Sequence, residues 1–182
     1  MVPAGYMAKR VHARPPWLKC EGVRDLYSLS GCISEYFCDY VPHWKHNGFW
    51  LFDRPGDIRA LAAARALDLA RHTIFYYEVY EKQFDAERKA WQPFQADGSF
   101  QTAVEPPHAK ALEGFDVATF SVQTSPECSP LSCNGLAESI PVNAHCLLGS
   151  LEEAIRLVES GVFDHSEPGP FRIFAVYSCG AA

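Results

Sequence analysis

The chain has 182 residues, 48% of them hydrophobic and 21% charged, which suits a globular protein able to bury a sizeable core. Its formal charge is −6, yet the first 24 positions hold five basic residues against Glu21, so the remainder carries a net −10 and repels phosphate backbones. A general nucleic-acid binder is therefore excluded, and no apolar run approaches the roughly 18 residues that cross a bilayer.

Residues 1–22 combine that basic charge with Pro3, Pro15 and Pro16 and lack the apolar stretch of a secretory leader. They are expected to be a mobile tail on a cytoplasmic protein that has no membrane partner. A single α+β domain is expected over 23–182. It divides into unit one (23–85), a surface excursion (86–112) and unit two (113–179).

In unit one, 23–30 alternates as a strand, with Leu26 and Tyr27 on opposite faces. A polar, aromatic connection through Tyr36, Cys38, His43 and His46 leads to a short apolar strand at 48–52. Asp53 is placed to cap a helix, with Pro55 in its first turn. Over 57–70, Ile58, Leu61, Ala62, Ala66 and Leu69 form an apolar stripe. Residues 73–84, dense in β-branched and aromatic types, predict a long strand.

The excursion holds Pro93, Gly98, Pro106 and Pro107 and has little periodicity. Unit two then predicts a strand at 115–122, a Pro/Ser/Cys-rich loop at 123–142 and a short strand at 144–148. A helix follows, opened by Ser150 and Glu153 as a capping box and stopped by Gly161, and the last strand is 171–178.

The halves resemble each other. A shift of 96 lays Cys32 on Cys128, Asn47 on Asn143 and Leu51 on Leu147; a shift of 97 lays Ile58 on Ile155 and Val79 on Val176. The expected fold is one domain of two pseudo-symmetric ββαβ units, with a mixed or antiparallel sheet and two main helices. That order resembles duplicated ferredoxin-like and gyrase-inhibitor-like α+β architectures, a likeness that carries no function.

Chemistry concentrates in the two loops. Seven cysteines show no zinc-finger spacing, since Cys32 and Cys38 are six apart and Cys128 and Cys133 five apart. Cys128, Ser129, Cys133 and Asn134 offer two thiols, a hydroxyl and an amide, or else form only a tight turn. His43, Trp44, Lys45, His46 and Asn47 offer two imidazoles and a contact patch. A thiol from the second loop beside His43 or His46 would be an activated nucleophile.

Glu78 shares a strand face with Tyr76 and Tyr80, where a carboxylate needs a hydrogen-bonded partner or suits a cationic ligand. No Gly-rich turn cradles phosphate, and neither a cofactor nor a metal is expected. The reading favoured by these residues is a binding module for a small-molecule ligand or a protein partner, using Trp44, Lys45, Asn47, Tyr76, Glu78, Tyr80, Ser129 and Asn134. The alternative is a thiol-dependent or metal-assisted enzyme built on Cys128 or Cys133 with His43 or His46. A third is a homodimer paired through strand edges.

Overall fold

The computed structural model describes residues 1–37, 47–119 and 128–179. Its elements in chain order are β1 (Val2–Arg10), β2 (His12–Ala13), β3 (Asp25–Leu26), β4 (Glu35–Tyr36), α1 (Pro55–Arg65), β5 (Thr73–Asp85), β6 (Ala90–Pro93), β7 (Lys110–Thr119), α2 (Pro130–Cys133), α3 (Leu151–Glu159) and β8 (Phe171–Cys179), with a 3-10 turn at Leu136–Glu138. The protein is thus mixed α+β, with an antiparallel sheet and few helices. The sheet runs β4-β1-β5-β8-β7, and β6 pairs with the far end of β5. Among the described residues no helix is long and apolar enough to cross a membrane.

The N-terminus departs from expectation. In place of a mobile tail, Val2–Arg10 is a strand paired with β5 from Val2↔Val79 to Lys9↔Thr73, and residues 4–9 are buried. Local composition misled because the partner strand lies about seventy residues downstream, and tertiary pairing outweighs the prolines and charges. The excursion contains β6, which forms a hairpin with β5. Long strands were legible at β5 and β8, where β-branched and aromatic residues are dense.

The short apolar runs 48–52 and 144–148 are turns rather than strands, which corrects the expected ββαβ order. Trp50 and Cys146 adopt positive φ (60° and 62°), breaking the extended backbone. Only Phe52 and Leu148 reach the sheet, as isolated bridges to Tyr6 and Phe115.

Each turn is held by an asparagine. Asn47 Oδ1 accepts from the N–H groups of Phe49 and Leu51 (2.9 and 3.1 Å), and its Nδ2 donates to Ala4 O (3.0 Å). Asn143 Oδ1 accepts from His145 and Leu147 at 2.9 and 3.1 Å, while its Nδ2 donates to Glu113 O at 2.6 Å. Opposite each turn the strand bulges at a glycine of positive φ, Gly5 (132°) and Gly114 (147°). A Cβ there would meet carbonyl oxygens, Phe52 O at 2.5 Å and Leu148 O at 2.8 Å.

α1 begins at Pro55 with Arg54 as the cap residue and ends early, Ala66 turning left-handed. Asp53, expected to cap it, accepts instead from Ala103 N and Asn47 Nδ2. α3 begins as its sequence signals: Ser150 Oγ accepts from Glu153 N at 3.1 Å. Ile58 and Ala62 pack α1 into the core with Tyr6, Phe52 and Tyr76, and Ala154, Leu157 and Val158 pack α3 against Phe115, Ile173 and Ala175. Each such apolar side chain contributes roughly 1–3 kcal/mol on burial.

Gly114→Ala combines a strained φ with backbone overlap and is expected to cost about 3 kcal/mol or more, and Asn143→Ala, which strands two N–H groups, about 2–3 kcal/mol. Urea unfolding of both variants measures this. Losses below about 1 kcal/mol would show that the turn is not held by these contacts.

Candidate functional site

Two loops, one from each half, meet over a buried polar anchor. Lys9, on β1, is wholly buried. Its Nζ donates to the carbonyls of Ser28, Leu29 and Ser30 at 2.7, 2.7 and 2.6 Å and lies 4.4 Å from the Tyr36 ring centre. Three acceptors call for three N–H donors, which only the ammonium has. Burial nevertheless pushes this group down to about 7, against the opposing pull of Asp116.

Asp116, on β7, is also buried. Its Oδ2 accepts from Leu29 N and from Ser129 Oγ, both at 2.7 Å. Leu29 is therefore gripped at both ends, its N–H by Asp116 and its carbonyl by Lys9 and Tyr36. The same carboxylate fixes Ser129, so one group positions the segments that carry Cys32 and Cys128. Burial raises Asp116 to about 6, although its hydrogen bonds from Ser129 and Leu29 lower it.

Cys32, Cys128 and Cys133 come together above this anchor. Ser30 Oγ links the loops: it accepts from Cys32 N at 3.1 Å and lies 3.6 Å from Cys133 Sγ. Cys128 is buried and donates to Asn134 Oδ1 at 3.1 Å. Cys133 is half-buried, accepts from Ser129 N at 3.5 Å and reaches Ser30 Oγ at 3.6 Å. Cys32 is exposed.

The thiols differ in acidity. Hydrogen bonds from Cys128 and Cys133, then from Ser30, with the nearby Lys9 charge, hold Cys32 far below the ordinary thiol range. Cys128 is pushed well up by its contacts with Cys133 and Cys32 and by burial. Cys133 is also raised: its bond from Cys128 lowers it, but its contact with Cys32 and burial outweigh that. The arrangement is one accessible thiol beside a half-buried and a buried one. Among the described residues, no group of three or more His, Cys, Asp and Glu side chains is disposed to hold a metal ion.

His43, Trp44, Lys45 and His46 fall outside the described residues, and with them the proposed Cys–His contact. Asn47 is buried and holds its turn. Asn134 Nδ2 donates to Glu167 Oε1 at 3.2 Å, at the rim of a cleft of about 550 Å³ that no thiol lines.

Glu78 has its partners within the chain. It pairs with Lys110 and accepts from Tyr177 Oη at 2.8 Å and Tyr76 Oη at 3.3 Å. Burial raises its carboxyl, but the bonds from Lys110 and Tyr177 outweigh this and hold it below the ordinary range. The Lys110 ammonium sits 4.2 Å from the Tyr177 ring centre and 5.0 Å from that of Tyr76, in the position a cationic ligand would take. Tyr80 packs edge-on against Trp91.

Sequence reasoning missed Lys9, Ser30 and Asp116. Lys9 follows Gly5 and Met7 in the alternation of β1, a signal available only once that segment is recognised as a strand. Cys32 was marked by its offset from Cys128.

The folded value of Asp116 lies above its unfolded one, so its protonation favours the fold fully below about pH 4 and that contribution is lost as pH rises through 6. Asp116→Asn keeps an acceptor for Leu29 and Ser129 but cannot ionise. Relative to the parent, it is expected to gain on the order of 2 kcal/mol between pH 4 and pH 7. Urea unfolding at both pH values tests this; a pH-independent difference would mean Asp116 titrates normally.

Comparisons with protein-family models, curated protein sequences and solved structures find no match to this chain.

Proposed function

We propose that the protein works through its thiol cluster, with Cys32 as a nucleophilic thiolate toward a soft electrophilic small molecule and Cys133 as the second thiol. The observation that carries this is the Ser30 hydroxyl, which accepts from Cys32 N at 3.1 Å and lies 3.6 Å from Cys133 Sγ, bringing together cysteines about a hundred residues apart in sequence. An accessible low-pKa thiol beside further thiols is the usual setting of reactive cysteines. Lys9 and Asp116 act as positioning residues, holding the two loops in one geometry.

This reading extends to the architecture. We take the two asparagine-held turn–helix–strand segments as copies of one unit, joined in a single domain whose connecting loops meet at the cluster. Shared hydrogen bonds at Asn47 and Asn143 and shared bulges at Gly5 and Gly114 support this. The alternative of a pure binding module draws on residues 43–46, outside the described residues, and on Glu78, whose oxygens already engage Lys110, Tyr177 and Tyr76. It is the weaker reading for that reason.

Alkylation by iodoacetamide tests the thiolate. Cys32 is expected to react roughly tenfold faster than an ordinary exposed thiol at pH 6, at a rate nearly flat to pH 8. Cys32→Ser should abolish this phase and leave the unfolding midpoint unchanged. A Cys32 rate that climbs tenfold per pH unit, as for an unperturbed thiol, would falsify the assignment.

A further inference from the structure

We propose that Cys32 and Cys133 form a dithiol–disulfide couple that exchanges with small-molecule disulfides, closing a bridge between the two halves of the chain. The inference rests on the thiol-centred reading above and adds to it a reaction, a resolving residue and a substrate class.

The choice of Cys133 over Cys128 comes from what each sulfur touches. Cys128 is buried, and its S–H is directed at Asn134 Oδ1. Cys133 is half-buried and reaches across to Ser30 Oγ, on the segment that carries Cys32. The Ser129 N–H points at the Cys133 sulfur, and a donor there stabilises negative charge on it as its proton leaves. Cys32, being exposed, is the sulfur a dissolved disulfide can reach.

The chemistry uses only what the cluster contains and the disulfide itself. The Cys32 thiolate attacks one sulfur of RSSR, forming a mixed disulfide and breaking the RS–SR bond, and RS⁻ leaves and takes up a proton. Cys133 then loses its proton and attacks the Cys32 sulfur, and the second RS⁻ leaves and is protonated. Two protein thiols are oxidised to one disulfide while RSSR is reduced to two RSH. The reverse reaction, driven by excess RSH, restores both thiols.

The bridge would tie the segment gripped by Lys9 to the segment gripped by Asp116 and would close a loop of roughly a hundred residues, a large restriction on the unfolded chain. Oxidation is therefore expected to raise the melting temperature by about 5–10 °C.

The test is incubation of the fully reduced full-length chain with oxidised glutathione, followed by peptide mapping and a thermal melt. Expected is a Cys32–Cys133 linkage reversed by reduced glutathione, with Cys133→Ser arrested as a glutathione adduct on Cys32. A lasting Cys32 adduct in the parent chain, a bridge to Cys128, or no reaction overturns the couple. Fast, pH-flat alkylation of Cys32 without a bridge would sink the couple alone, whereas slow alkylation would sink the thiolate with it. Tightly held stoichiometric zinc shielding all three thiols from both reagents until chelation would also overturn it.

Discussion

An ammonium group has three N–H donors, and a protein interior tolerates it only where all three find acceptors. Lys9 meets that condition by drawing three consecutive carbonyls, those of residues 28 to 30, onto one nitrogen. Such a convergence bends the segment sharply and leaves its next residues little choice of path. Asp116 then takes the Leu29 N–H and the Ser129 hydroxyl, so the first loop and the second are fixed to one carboxylate. The meeting of Cys32 with Cys128 and Cys133 follows from this pair of buried charges, which replace with hydrogen bonds the rigidity that secondary structure supplies elsewhere.

The sheet makes the anchor feasible. Lys9 is carried by β1 and Asp116 by β7, separated in the sheet order by β5 and β8, and each strand bulges at a glycine before the anchoring residue. Those bulges make room for the asparagine-held turns, whose side chains saturate backbone groups that a sharp left-handed bend would otherwise leave bare. The device that lets each turn close against its strand thus also sets the path of the strand that carries a buried charge.

The polar groups near Glu78 show the opposite outcome. A carboxylate among tyrosines invites a cation, and the chain provides one from Lys110 on a strand that is not adjacent to it. The need for a counter-charge could be read from residue 78 alone. Which cation meets it could not, because strand order rather than sequence distance brings Lys110 there.

Several elements were legible from composition because their causes are local. β5 and β8 follow from dense β-branched and aromatic residues, α3 from its Ser150 cap and apolar stripe, and the 96-residue offset singled out Asn47, Asn143, Cys32 and Cys128 before any contact was visible. Other features had non-local causes: β1 needs a partner some seventy residues away, and the left-handed backbone at Trp50 and Cys146 is imposed by asparagine hydrogen bonds that no propensity encodes. Sequence by itself determined the α+β character, the pairing of like positions across the two halves and the residue types available for chemistry. Only tertiary structure decided that Lys9 lies inside and that three cysteines share one site, since burial and proximity depend on chain crossings that local pattern does not record.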